Sequence, residues 1–233
     1  MGMISVENLQ KSFTIHHLNK TLPALQGISF DVSEGRFLGI VGKSGSGKST
    51  ILKSIYRTYE PQMGKILFQS EVFGTIDLVR ATPREVVYLR KHEIGYVSQF
   101  LNVMPRTTAL ELVEQSLLDL GVSKSEATVK AQEALRHFDI DEALWNSYPN
   151  MFSGGEKLRL NIACAVVKEP RLLLLDEPTA SLDQSSKLKV REAIEKLKMN
   201  GTTLIGIFHD LEFMEGLCDN VFEMAKVQER ELV

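Results

Sequence analysis

The sequence predicts an α/β fold. A mainly parallel sheet with helices is preceded by antiparallel strands and interrupted by an inserted helical stretch over about residues 100–165. Three observations carry this. Phe37-Leu38-Gly39-Ile40-Val41 and Leu172-Leu173-Leu174-Leu175 are almost entirely apolar, the pattern of parallel strands covered on both faces. Ile4–Leu9 and Ile28–Val32 alternate apolar with polar residues, as half-buried strands do. From about Phe100 to Ala165 the texture becomes helical, with Ala109, Leu110, Leu112, Val113 and Leu117 recurring at helical spacing.

The other elements follow in order. His16 to Thr21 is polar and reads as the loop of an N-terminal hairpin, and Ser33-Glu34-Gly35 as a turn. A Gly/Ser-rich loop leads into a helix over about Gly47–Tyr56. Pro61 and Gly64 punctuate the chain before a strand at Lys65–Phe68. Thr82-Pro83-Arg84-Glu85 combines Pro at the first helical position with a capping box, so a short helix starts there and ends before strand Ile94–Ser98. Ser123-Lys124-Ser125-Glu126 reads as a second capping box, opening a helix to about Phe138. The core then resumes with strand Arg171–Asp176, a helix over about Ser185–Met199 and strand Thr203–Phe208.

Composition narrows the function. A chain of 233 residues, 43% hydrophobic and 24% charged, is long enough to bury a core without staples. A net charge of −3 with no run of like charges argues against a nucleic-acid partner. The two cysteines, Cys164 and Cys218, have no metal-ligand spacing and read as free thiols in a reducing compartment. Met1–Gln10 carries Glu7 and no basic-then-apolar leader pattern, and no stretch approaches the ~20 apolar residues of a membrane span. The expectation is a cytoplasmic protein; for action at the inner membrane, another subunit would supply the span.

Gly42-Lys43-Ser44-Gly45-Ser46-Gly47-Lys48-Ser49 matches G-x-x-x-x-G-K-[ST] in full, between an apolar strand and a helix. Glycines let the backbone curl so that N–H groups converge on phosphate oxygens, and the helix that follows aims its positive end at the same anion. Lys48 is expected to reach the β- and γ-phosphates, and Ser49 to ligate Mg²⁺ through its hydroxyl. Thr50 completes the loop's edge. A plain Gly-rich turn leaves that full match unexplained.

Leu172–Leu175 runs into Asp176-Glu177-Pro178. Carboxylates at the C-terminal edge of a parallel strand lie where open α/β sheets bind ligands. Asp176 is expected in the Mg²⁺ shell and Glu177 beside the attacking water, with Pro178 stopping the strand. Alone, the pair also reads as a solvated strand end; the phosphate loop tips the balance.

About twenty residues before Asp176, Phe152-Ser153-Gly154-Gly155-Glu156 is a Ser-Gly-Gly turn opening a helix. It closely resembles the ABC signature LSGGQ, with Phe for Leu and Glu for Gln. Other markers fall in that family's order. Gln99 stands where the Q-loop glutamine does, Ser181-Leu182-Asp183 where the D-loop does, His209 where the switch histidine does, and Phe13 where an aromatic stacks on adenine. Taken singly, each has a bland reading, a capped helix or an ordinary histidine at a strand end.

The resemblance is to the ABC ATPases, and it spans essentially the whole chain. It implies a P-loop NTPase with a RecA-like parallel-sheet core, an N-terminal antiparallel β subdomain and an inserted helical subdomain. It further implies one domain over 1–233, its core about 1–99 and 166–233, and an activity converting ATP and water to ADP and phosphate. Two such domains would pack head to tail, each ATP lying between one chain's phosphate loop and the other's Ser153-Gly154-Gly155 turn, with Glu156 and Asp183 beside it. Glu177 would orient water, His209 would contact the γ-phosphate, and Gln99 would link Mg²⁺ to whatever the domain moves. One departure stands out. Ala163-Cys164-Ala165 replaces the family's Ala-Arg-Ala, which implies either a weaker dimer or a shift of the signature helix's bracing to Arg159.

Three stretches are more particular: Gly95–Leu101, Pro105–Glu111 and Gly206–Asp210. With Asp77-Leu78-Val79 they resemble the L-type ATP-binding proteins of the bacterial phosphonate carbon–phosphorus lyase system, which implies a carbon–phosphorus lyase core complex as partner. The alternative is the ATPase subunit of a lipoprotein-release or macrolide-export transporter, similarly short, with a permease as partner. A soluble repair-type ATPase is a third class, and the long coiled coil typical of it is not visible.

Overall fold

The computed structural model describes residues 2–15, 20–98, 106–179, 182–208 and 210–224. Two sheets form the frame. Strand β1 (Gly2–Ile15) pairs antiparallel with β2 (Lys20–Ser33), both longer than the alternating patterns suggest because the hairpin continues past the buried positions. β4 (Met63–Ser70) pairs with the other edge of β1, and β5 (Gly74–Asp77) with β4. Of the expected hairpin loop, residues 16–19 lie outside the described residues, while Lys20 and Thr21 belong to β2.

The second sheet is wholly parallel. β6 (Ile94–Val97), β7 (Leu172–Asp176), β8 (Thr203–Ile207), β3 (Phe37–Val41) and β9 (Asn220–Glu223) lie side by side in that order. The unbroken apolar runs have the expected cause. Leu172 and Leu174 of β7 join one core, Leu173 and Leu175 the other. Ile4, Val6 and Leu9 of β1 pack into the first of these cores together with α1 (Lys48–Ile55). The second core collects α3 (Ala109–Leu118), α4 (Lys124–His137), α5 (Gly154–Val166) and α6 (Gln184–Met199).

Local chemistry sets the helix starts. α2 (Pro83–His92) opens on the predicted capping box, with Thr82 N–H donating to Glu85 at 2.7 Å. The box expected at Ser123 is only half formed. Ser123 Oγ accepts the Glu126 N–H at 3.4 Å, but the Glu126 carboxylate turns to Lys130 at 3.0 Å, the i,i+4 partner of its own helix. A complete box not foreseen from the sequence caps α3, from Thr108 and Glu111. α7 (Leu211–Met214) is a single turn between β8 and β9. Among the described residues, no helix is long and apolar enough to cross a membrane.

Candidate functional site

β3 delivers the chain at the C-terminal edge of the parallel sheet, and the loop 42–47 turns it into α1. Gly47 is required there: its φ is +94°, and a Cβ would stand 2.3 Å from the Ala24 carbonyl oxygen. Lys48 is almost fully buried, its Nζ donating to the carbonyls of Gly42 at 2.8 Å and Lys43 at 3.1 Å. The ammonium is therefore held inside the curl of the loop by neutral acceptors that a phosphate would outcompete. Ser46 Oγ is buried there with no hydrogen-bond partner among the described residues, and buried hydroxyls ordinarily have one.

The next strand of the site is β7, which ends in Asp176. This carboxylate is 7% exposed and accepts two hydroxyl protons, Ser49 Oγ at Oδ1 (2.8 Å) and Tyr96 Oη at Oδ2 (2.6 Å). Burial, and then Asp176 itself, push the Tyr96 phenol far above its ordinary value, so it is a permanent donor. Glu177 follows at φ +53°, left-handed backbone that a glutamate rarely adopts. Such strain persists only where the surroundings impose it, and it turns the residue into the cleft.

That cleft has a volume of about 480 Å³. Its lining combines Phe13, Leu22, Pro23 and Ala24 of the N-terminal hairpin with Ser44, Gly45, Gly47, Lys48, Ser49 and Thr50 of the phosphate loop and α1, and with Glu177. The Phe13 ring is met edge-on by Tyr59 at 5.1 Å, with Lys11 Nζ 5.1 Å from its centroid. An aromatic base joined to a run of phosphates fits this combination of an aromatic wall and a phosphate loop. Among the described residues no three His, Cys, Asp or Glu side chains gather as a metal cluster. The adjacent Ser49 hydroxyl and Asp176 carboxylate do suit Mg²⁺, which takes few protein oxygens and fills its shell with phosphate and water.

Ser153, Gly154, Gly155, Glu156 and Asp183 are not among the residues lining this cleft. They form a second locus. Ser153 caps α5 in a full capping box, its N–H and Oγ each donating to Glu156 Oε2 at 2.8 Å. Asp183 caps α6, accepting from Ser186 N at 2.7 Å and Ser185 Oγ at 2.9 Å, bonds that hold its carboxyl below the usual range. The two helix caps meet at Gly155, where a Cβ would lie 2.6 Å from Ser186 Oγ. This glycine is fixed by close packing rather than by backbone angle. Gln99 and His209 lie outside the described residues, as does Ser181.

Arg159 is 5% exposed, with Nε donating to Phe138 O at 3.0 Å and Nη2 to Asp139 O at 3.4 Å. It ties the signature helix α5 to the end of α4. Cys164, in place of the family's arginine, packs against the core, and burial pushes its thiol up to about 12. Tyr96, Tyr59 and the Lys187–Asp210 pair (2.6 Å) were not singled out from the sequence. Tyr96 was hidden within an apolar strand pattern, and the pair is distant in sequence.

Comparison with known proteins agrees with this geometry. Residues 25–180 match the family model described as ABC transporter. An ABC transporter ATP-binding protein of Thermotoga maritima is 37% identical over 218 residues, 93% of this chain and 91% of its own length. The lipoprotein-releasing system ATP-binding protein LolD of Geobacter metallireducens is 38% identical over 187 residues, 80% of each chain. Among solved structures, the dimeric post-hydrolysis state of the ATP-binding cassette MJ0796, bound to ADP and Pi, superposes with a TM-score of 0.87. It is 29% identical, and the match covers 96% of this chain and 95% of that one.

Proposed function

We propose a mechanism and a setting for this chain from the premise that it belongs to the ABC transporter family, whose ATP-binding subunits hydrolyse ATP with Mg²⁺. The domain would be single over 1–233, its core about 1–99 and 166–233 and its helical subdomain about 100–165. The observation that carries the mechanism is the pairing of Ser49 with the buried Asp176 beside Lys48, in a cleft that Lys48, Ser49 and Glu177 line. Adenine stacks on Phe13. The phosphates replace the Gly42 and Lys43 carbonyls as partners of Lys48 and lie against Ser44, Gly45, Ser46, Gly47 and Thr50. Ser49 and Asp176, with Gln99, would hold Mg²⁺, which when bound would supply charge neutralisation at the phosphate oxygens. Glu177 orients water for in-line attack: the water oxygen bonds to the γ-phosphorus, the bond to the β–γ bridging oxygen breaks and leaves that oxygen on ADP, and both of the water's protons leave with the phosphate. His209 holds the γ-phosphate. Catalysis is chiefly positioning and charge stabilisation.

The Ser153–Glu156 turn and Asp183 would serve the nucleotide of a second ABC domain, which explains why they stand apart from their own chain's cleft. Glu177→Gln tests this. Its hydrolysis should fall at least about 100-fold, and ATP–Mg²⁺ should convert it to a stable dimer by light scattering. Hydrolysis at the wild-type rate would remove Glu177 from the mechanism.

The setting we infer is phosphonate catabolism, with the carbon–phosphorus lyase core complex as partner and the cytoplasm as location. The resemblance of Gly95–Leu101, Pro105–Glu111 and Gly206–Asp210 supports it. A second reading, the motor of a lipoprotein-release type permease at the inner membrane, is favoured by the likeness to LolD. Deleting the gene separates them. Loss of growth on methylphosphonate with normal growth on phosphate is expected from the first. Normal growth on both, with stalled lipoprotein release, would establish the second.

A further inference from the structure

We infer that Tyr96 is a positioning residue for the magnesium-side carboxylate, fixing Asp176 so that only one of its oxygens faces the phosphate loop. This rests on the reading of Asp176 as a magnesium ligand. Asp176 is buried at the end of β7, and both of its oxygens are engaged. Ser49 Oγ reaches Oδ1 from the phosphate loop, and Tyr96 Oη reaches Oδ2 from the neighbouring strand β6. A carboxylate with one such contact can rotate about its last torsion, whereas two donors on opposite oxygens hold its plane. The phenol is a donor that adds no positive charge, so it orients the carboxylate without competing with a cation for it.

Tyr96 is itself held in place. Its ring lies 5.0 Å from that of Tyr56, the residue that caps the C-terminus of α1. Arg90 of α2 donates through Nε to Tyr56 O at 2.7 Å and lies over the Tyr56 ring at 4.7 Å. Helix α1 starts in the phosphate loop and ends on Tyr56, so a chain of contacts joins its two ends through Tyr56, Tyr96, Asp176 and Ser49, with Arg90 bracing Tyr56. Neighbouring side chains thus fix the phenol oxygen relative to the loop.

The test uses the full-length protein and Mn²⁺ as a paramagnetic probe, measuring by electron paramagnetic resonance the Mn²⁺ bound in the presence of ADP. ADP binding is measured in parallel with metal chelated. Tyr96→Phe keeps the ring and deletes the donor. Tyr96→Met is the second variant should the first not fold, and Tyr56→Phe is the control for losing a nearby phenol. The expected result is Mn²⁺ affinity about tenfold weaker in Tyr96→Phe, equivalent to about 1.4 kcal/mol, with metal-free ADP binding unchanged and Tyr56→Phe behaving as wild type. Unchanged Mn²⁺ affinity in the Tyr96 variants, or equal losses with and without metal, would overturn the inference. Asp176→Ala in the same assay separates the two levels. If it keeps wild-type Mn²⁺ affinity, the reading of Asp176 falls. If it loses affinity while Tyr96→Phe does not, only the role of Tyr96 falls.

Discussion

Replacing Arg159 by Met removes a buried fork of donors while keeping most of its stem volume. The shorter bond, Nε to Phe138 O at 3.0 Å, is charge-assisted, so its loss is worth about 1.5–3 kcal/mol. The second, at 3.4 Å to Asp139 O, adds little. An opposing effect is present. Burial disfavours the guanidinium and lowers its pKa from the usual value, and Met relieves that penalty. If relief returns about 1 kcal/mol, the net destabilisation is about 0.5–2 kcal/mol. Urea unfolding without nucleotide should report it. Hydrogen exchange should localise it to the Asp139 and Ile140 amides, which close the end of α4 by bonding to Arg136 O and Leu135 O. An unchanged or raised urea midpoint would refute the reasoning, because the buried charge would then outweigh its bonds.

Three further outcomes are expected. Gly47→Ala should abolish ATP binding measured by a fluorescent analogue, since its Cβ meets a backbone carbonyl at 2.3 Å and its φ of +94° is unsuited to alanine. Lys187→Met should destabilise the chain at pH 7 and do so by less at pH 3. The Lys187 bond, then the Phe213 amide, hold the Asp210 carboxyl below its ordinary 3.8, so this stability is present above that value and lost as pH falls through the lowered one; equal urea shifts at both pH values would count against it. Burial pushes both cysteine thiols up to about 12, so native protein at pH 8 should react with iodoacetamide far more slowly than urea-unfolded protein.

The sequence was most legible where one residue's chemistry admits few contexts. The full phosphate-loop motif, the apolar run into Asp176 and the Thr82–Glu85 capping box each name their own surroundings. It was least legible where partners are remote or elements short. β5 and β9 have four residues each and lie on sheet edges, too brief for alternation to register. Tyr96 looked like one more apolar strand residue, because the carboxylate that gives its hydroxyl a task lies 80 positions away. At Ser123 the spacing for a capping box was present, but Lys130 competed for the same glutamate and won. Cys164 stands where the resemblance implies an arginine in α5, and the carbonyls that Arg159 holds, those of Phe138 and Asp139, lie 21 and 20 positions away, beyond the reach of local pattern.

The placement of β3 between β8 and β9 bears on how the molecule is made. The phosphate loop leaves β3 at Val41, yet β8 begins at Thr203, and the Met224 N–H that bonds Val41 O comes later still. At ordinary translation rates roughly 8–30 s pass between synthesis of β3 and of β8. During that time the loop has its full sequence and no sheet to fix it. A nascent chain should therefore be unable to hold nucleotide until nearly all of it has been synthesised, and a chaperone that shields Phe37–Val41 in the interval would govern the yield of active protein.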